Sequence, residues 1–417
     1  MLDDSPYGMP VRRRGSGNVL THTLMAVLGA ALAAGLLLAF YSPGGSGAAL
    51  PGGDAVPAPA ASVPPVTSSE QGIVTKVKPG LVVINTALQY DSEAAAGTGM
   101  VINADGLILT NNHVIEDSTK ITATVASTGK TYPATVVGYD QTGDVALLQL
   151  QHASGLATVP IGDSASVTAG AAVVALGNAE GRGTITAKPG QVTALNQTIT
   201  AGEEGGSTAS ETLRGMIQTN ADIVPGDSGG PLASSAGVIG MDTAGNEGND
   251  QQASTGFAIP INTALSVARQ IAEGHASSTV TIGYPPFVGI FTGSGSDSSP
   301  QAQAQQEQQQ NGGSSGGTGT TPRCYTSNSG LTVPQAIAPV SSGALIIGTI
   351  CGSPAASAGM TGGAVITGVN GQAVGSPDDL RRILSRFHPG EAISVTWVSP
   401  SGQRDTSSLQ LTAGPPQ

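Results

Sequence analysis

Short apolar runs separated by turn residues fill the middle of the chain. From about residue 70 to 260 they read "LVVINTAL", "GMVINADGLILTNNHV", "ITATV", "ATVVGYD", "DVALLQL", "AAVVALGN", "GQVTAL", "GVIGMDT" and "GFAIPI", with Asp105-Gly106, Thr142-Gly143 and Gly237 among the breaks. Strand-length runs punctuated at such spacing predict an all-β barrel or sandwich with little helix. "GIVTKV" (Gly72–Val77) reads as the lead-in to the first strand. A helix is predicted over 262–274, with Asn262 as cap and Gly274 as terminator. Another is predicted over 376–387, where Ser376 caps and Leu380, Ile383, Leu384 and Phe387 share one face.

Two segments lack these periods. Arg12, Arg13 and Arg14 precede "LMAVLGAALAAGLLLAF" (Leu24–Phe40), an uncharged run close to the ~20 residues that cross a bilayer. Residues 1–23 are then cytoplasmic, 24–41 a transmembrane anchor, and the rest extracytoplasmic. A cleaved signal peptide, with Ser46 and Ala48 near the processing site, is the alternative; the length of the run favours the anchor. Residues 42–69, rich in Pro, Ala, Gly and Ser, read as a flexible spacer. The Gln-rich stretch 293–321 has no recurring apolar position and is expected to be disordered.

Composition narrows the function classes. The 417 residues suffice for two or three domains, and a net charge of −12 argues against a nucleic-acid partner. Aromatics are only 3%, so the cores must be built from Val, Ile, Leu and Ala. No zinc-ligand spacing and no phosphate-binding loop motif occurs, and no metal or cofactor is expected.

The stretch "VPGDSGGPL" (Val224–Leu232) places Ser228 in a glycine-rich turn. Serine is a weak nucleophile and needs a histidine base, itself held in one tautomer by a carboxylate. Of five histidines, His22 enters the apolar run, His152 follows a strand, and His275 and His388 lie beyond the barrel. His113 ends the apolar strand "LILTNNHVI", and Asp144 heads "DVALLQL". Each alone is an ordinary strand-end or turn residue. Together His113, Asp144 and Ser228 stand in the chain order of chymotrypsin-type triads. Gly226, Asp227 and Ser228 form the candidate oxyanion loop, its glycine leaving the backbone N–H groups accessible.

"TNNHV", "DVALLQL", "GNAEGRGTITAKPGQVTAL", "IQTNADIVPGDSGGPL" and "STGFAIPI" resemble, in order, segments of the HtrA/Deg family of trypsin-like serine proteases. The resemblance implies a mainly β chain with a chymotrypsin-like double β-barrel over 70–275 and its active site between the barrels. It implies His113 as base, Asp144 as its orienting group, Ser228 as nucleophile and Gly226 in the oxyanion hole. Asp227 departs from the Asn usual in the family; in digestive and clotting enzymes an acid here pairs with a newly cleaved N-terminus, a part the Ile-Val of "GIVTKV" (Gly72–Val77) could play, although a strand start is the favoured reading of that stretch. Asp222, six residues before Ser228, stands where trypsin-type enzymes select Arg or Lys. A small aliphatic pocket, with Asp222 turned to backbone or water, is the favoured reading over a basic preference. Its walls are expected from Met241, Asp242, Thr243, Ala244 and Gly245 and from 254–257, including Gly256 and Phe257.

Residues 341–384 resemble a PDZ domain through "GSPAASAG" and "GAVITGVNG". Such domains capture a peptide's C-terminal carboxylate on a short backbone loop. Phe287-Val288-Gly289-Ile290 fits that loop, which makes the domain 281–413, a small α+β unit with 293–321 as an insertion. A shortened domain starting near Arg323 is the alternative. Cys324 and Cys351 are expected to form a disulfide outside the cytoplasm. The combined expectation is a membrane-anchored, extracytoplasmic endopeptidase of an actinobacterial envelope, acting on misfolded or regulatory proteins and binding peptide C-termini. A non-proteolytic holding protein on the same fold is the rival. The resemblance also implies a homotrimer, although few aromatics are present to build its interface.

Overall fold

The computed structural model describes residues 67–88, 93–201, 211–246, 255–293, 295–310, 323–328 and 331–416. The expected cytoplasmic segment, the anchor and nearly all of the spacer lie outside these. Among the described residues no helix is long and apolar enough to cross a membrane.

The first element is a helix, α1 (Ser68–Val77), where a strand lead-in was expected. The Thr67 N–H donates to Glu70 Oε2 at 2.6 Å and the Glu70 N–H to Thr67 Oγ1 at 3.4 Å, a reciprocal cap that starts the helix. Ile73 and Val77, four residues apart, then fall on one face and are buried.

Six strands follow: β1 (Leu81–Leu88), β2 (Glu93–Asn103), β3 (Leu107–Thr110), β4 (Lys120–Val125), β5 (Thr131–Asp140) and β6 (Val145–Leu150). They pair in the order β5-β4-β1-β2-β3-β6, and β6 returns to β5 to close a barrel. The alternation in β4, with Ile121, Ala123 and Val125 buried, shows how the strand pattern fills its interior. A second closed barrel follows the order β10-β11-β12-β9-β8-β7. Its strands are β7 (Ala172–Gly177), β8 (Thr186–Ala201), β9 (Glu211–Thr219), β10 (Pro231–Ser234), β11 (Gly237–Asn246) and β12 (Thr255–Pro260).

Helix α2 (Ile261–Ala272) leaves the second barrel and buries Ile261, Ala264, Ala268 and Ile271. Its N-cap is Pro260, not Asn262; Asn262 instead donates to Asp163 Oδ1 at 2.7 Å and accepts from the Ser164 N–H at 3.4 Å. Gly274 terminates it as expected, at φ +74°, with the His275 N–H bonded to Gln270 O at 3.0 Å. Strand β13 (Val280–Ile282) then adds to the edge of β5 in the first barrel.

The remaining strands are β14 (Pro286–Phe287), β15 (Ile290–Thr292), β16 (Ala344–Thr349), β17 (Val365–Val369), β18 (Gln372–Ala373), β19 (Ala392–Val398), β20 (Arg404–Gln410) and β21 (Thr412–Ala413). The main sheet runs β15-β16-β17-β19-β20, and β14 pairs with β21. Because β15 pairs directly with β16, residues 290–292 belong to this sheet and 293–343 intervene between neighbouring strands.

Of the stretch 293–321 expected to be disordered, part is helical and 311–321 lie outside the described residues. Helix α3 (Pro300–Gln310) occupies its first part. It docks through Gln303, 1% exposed, which donates to Asp297 O and Gly343 O at 2.8 and 2.7 Å and accepts the Leu345 N–H at 2.8 Å. An apolar period would not reveal it, because the anchor is one fully hydrogen-bonded amide. A short helix α4 (Pro354–Ser357) precedes β17, and α5 (Pro377–Leu384) is capped by Ser376 and buries Leu380 and Ile383. Cys324 and Cys351 are joined in a disulfide across 27 residues.

Candidate active site

The glycine-rich turn before β10 is clasped from the first barrel by Thr98 of β2. The Thr98 N–H donates to Ser228 O at 2.9 Å, and its hydroxyl donates to Gly226 O at 2.8 Å while accepting the Asn178 N–H at 2.8 Å. Thr98 lies between Gly97 and Gly99, where added Cβ atoms would come within 2.6 Å of Val114 and Ile108. Glycines inside a strand mark such close approach, and the G-T-G spacing is the signal that could have pointed to Thr98.

The turn's backbone is aimed by its own bonds. Pro225 O accepts the Glu180 N–H at 2.7 Å. In a trans peptide N–H and C=O point opposite ways, so the Gly226 N–H faces away from Glu180. The Asp227 N–H is used on Val224 O at 3.0 Å, which removes Asp227 from the expected oxyanion donors and leaves Gly226 and Ser228. Gly226 has φ +92°, and a Cβ on it would lie 2.2 Å from Asn178 O, so only glycine fits.

His113 and Asp144 meet as expected. His113 Nδ1 lies 3.0 Å from both Asp144 carboxylate oxygens, and the His113 N–H donates to Oδ1 at 3.1 Å. Asp144 is 2% exposed and the His113 side chain 34%, so the acid is sealed in while the imidazole is partly open to solvent. Asp144 has φ +51°, and Asn111 holds it there by donating Nδ2–H to its carbonyl at 2.9 Å. Thr243 of β11 ties the serine to this pair: its hydroxyl donates to Asp144 Oδ2, and its carbonyl lies 3.5 Å from Ser228 Oγ. A paired imidazole, a serine joined to the same acid and two aimed N–H groups can together run acyl transfer.

Residues 97–241 match the trypsin-like peptidase domain, and 347–398 match the PDZ domain. Serine protease PepD of Mycobacterium tuberculosis is 32% identical over 364 residues, covering 83% of this chain and 66% of that protein. The periplasmic pH-dependent serine endoprotease DegQ of Escherichia coli is 31% identical over 301 residues, 72% of this chain and 55% of that one. The structure of the HtrA-type protease AlgW with a tripeptide is 24% identical at a TM-score of 0.42, covering 83% of this chain and 98% of that one. The chain belongs to the HtrA/Deg family.

Asp227 stands where the family resemblance led to the expectation of Asn. Its carboxylate pairs with Lys188 of β8, Nζ to Oδ2 at 3.1 Å, and the same oxygen accepts the Val224 N–H at 3.0 Å. Lys188 was not singled out by sequence reading; nothing in the local pattern distinguishes it from a surface lysine. Asp242 of β11 lies nearby, 0% exposed, with neither carboxylate oxygen hydrogen-bonded. Burial pushes Asp242 well above the usual carboxylate range, the negative charge of Asp227 adds to this, and Lys188 opposes it. Asp227 is raised as well, first by burial, against the pull of Val224 and Lys188.

The residues expected as pocket walls have the following settings. Met241 and Asp242 are fully buried and present no surface to a substrate, and Thr243 is committed to Asp144. Ala244 and Gly245 pair in register with Phe257 and Gly256. Asp222 is half-buried, and the space a Gly256 Cβ would need is taken by Ile223, whose Cδ1 would be 2.6 Å away.

In the PDZ part, Val288 O accepts the Ala355 N–H at 2.9 Å, and Gly289 O accepts the Ile350 N–H at 2.9 Å and the Ser353 hydroxyl at 3.0 Å. The Gly289 and Ile290 N–H groups therefore point away from these anchors, along the open edge of β15. Gly289 has φ +77° and a Cβ there would lie 2.1 Å from Ser353 Cβ.

An acid raised by burial holds its proton more tightly folded than unfolded. It contributes stability below the ordinary value of 3.8, and that stability drains away as pH rises through the raised value. Asp242→Asn is thus expected to be more stable than the parent at pH 8, by about 1–3 kcal/mol, with little difference near pH 3.5. Urea unfolding at the two pH values checks this; an equal difference at both would contradict it.

Proposed function

We propose that the chain is a serine endopeptidase acting through His113, Asp144 and Ser228. The observation that carries the reading is the buried Asp144 carboxylate bridged to His113 Nδ1 by both oxygens, with Thr243 joining it to Ser228. With Nδ1–H held on Asp144, His113 Nε2 is the basic nitrogen. It takes the Ser228 hydroxyl proton as Oγ bonds to the scissile carbonyl carbon. The carbonyl oxygen becomes an anion on the Gly226 and Ser228 N–H groups. Collapse breaks the C–N bond, and the proton on Nε2 goes to the leaving amine. Water then repeats the sequence on the acyl-enzyme and frees Ser228.

The comparisons cover 66% or less of PepD and DegQ, so substrate and setting are part of the proposal. Unfolded or exposed polypeptides are the proposed substrates, by likeness to the serine proteases PepD and DegQ. Ile223 closing on Gly256 supports a shallow pocket for small aliphatic residues. Membrane anchoring rests on Leu24–Phe40 behind Arg12–Arg14, and an oxidising, extracytoplasmic location is supported by the Cys324–Cys351 disulfide.

Full-length protein is expected to hydrolyse an unstructured polypeptide such as casein. Ser228→Ala and His113→Ala are each expected to lower kcat about 10⁶-fold, and Asp144→Asn about 10⁴-fold. Casein bound but never cleaved by the parent would favour the holding protein instead. For the PDZ part, peptides ending in an apolar residue with a free carboxylate are expected to bind at Phe287–Ile290. Gly289→Val should weaken that binding at least tenfold in calorimetry, and equal binding of C-terminally amidated peptides would contradict the assignment.

A further inference from the structure

The Asp227 side chain decides where the oxyanion donors sit. It lies between Gly226 and Ser228, its N–H and Oδ2 both turn back onto Val224, and its carbonyl accepts the Gly230 N–H at 2.8 Å. The loop is therefore wound around this one residue. Its carboxylate is 1% exposed, and a Cβ on Gly177 at the end of β7 would lie 2.5 Å from both its Cα and Oδ1. A negative charge in such a place needs a partner.

We propose that Lys188 is a positioning residue for the reaction: built into β8, its ammonium holds Asp227, and through it the Gly226–Ser228 backbone, in the geometry that receives the oxyanion. The chain then needs no newly cleaved N-terminus. This rests on the protease reading above and names a residue that reading does not.

Three observations support it. The lysine side chain is itself only 15% exposed, and its strand neighbour across β7 is Ala175, two residues before the Gly177 contact. The charged groups facing Asp227 are Asp222 from the preceding turn, Asp242 from β11 and Lys188 from β8, so the acids outnumber the cation. Without Lys188 the Asp227 carboxylate would take up a proton or turn toward water, and either change disturbs the bonds to Val224. The other candidate cation is an α-amino group at Gly72 or Ile73, but those residues lie inside α1. Ile73 is buried there, lining a cavity with Pro160 and the Ser234–Gly237 turn.

The test uses the full chain with Lys188→Met and Lys188→Arg, read as casein turnover at 20 °C alongside Tm. Lys188→Met is expected to lower kcat at least 100-fold with KM within about threefold, and Lys188→Arg to recover at least a tenth of the parent rate. A merely structural lysine would lower Tm and leave kcat at 20 °C within twofold of the parent, which would overturn the proposal. Should Lys188→Met not fold, intact-mass spectrometry of the active parent decides. Turnover by chains uncut before Gly72 supports it, and turnover that begins only on cleavage at Gly72 or Ile73 overturns it. A parent that turns over nothing removes the protease reading itself, and this inference falls with it.

Discussion

The two barrels meet so closely at Gly229 that no side chain fits between them. A Cβ there would lie 2.2 Å from both Thr110 Oγ1 and Thr98 O. That contact fixes how the serine-bearing turn of the second barrel lies against the first, which carries His113 and Asp144. Thr98 then fastens the turn at Gly226 O and Ser228 O, and the Thr110 hydroxyl bonds back to Thr98 O at 2.7 Å. The position of the serine-bearing turn relative to the His113–Asp144 pair follows from this seam. The glycines of "GDSGGP" are thus needed for barrel packing as well as for access to a reacting carbonyl.

The parts legible in sequence were those with a local chemical signature. His113, Asp144 and Ser228 could be found because acyl transfer demands those side chains in one strand-rich domain, and the order left few choices. The disulfide followed from two cysteines in one module. Less legible were residues whose role depends on tertiary contact. Lys188 lies mid-strand in β8 and Thr243 at the register shift of β11, and only long-range side-chain contacts bring them beside Asp227 and Asp144. Thr98 had a weak mark in its flanking glycines, which strand reading passes over.

The departures have separate physical causes. In α1 the reciprocal Thr67–Glu70 cap outweighed the β-branched run "IVTKV". In α3 a single buried glutamine with three satisfied bonds replaced the apolar stripe that a docked helix ordinarily needs. Asp227 left the oxyanion hole because its N–H closes the turn onto Val224, a backbone bond invisible to residue type. The Phe-Val-Gly-Ile segment, read as a carboxylate loop, leads into β15, which pairs with β16 across the intervening 293–343.

An activated serine at this seam, as proposed above, is open to direct chemical labelling. Fluorophosphonate labelling of the full chain, followed by peptide mapping, tests it most directly. The account predicts a single adduct on Ser228 that is lost in His113→Ala and does not require cleavage of the chain. Absence of any adduct on Ser228 in a folded protein, or an adduct whose rate is unchanged by His113→Ala, would contradict it.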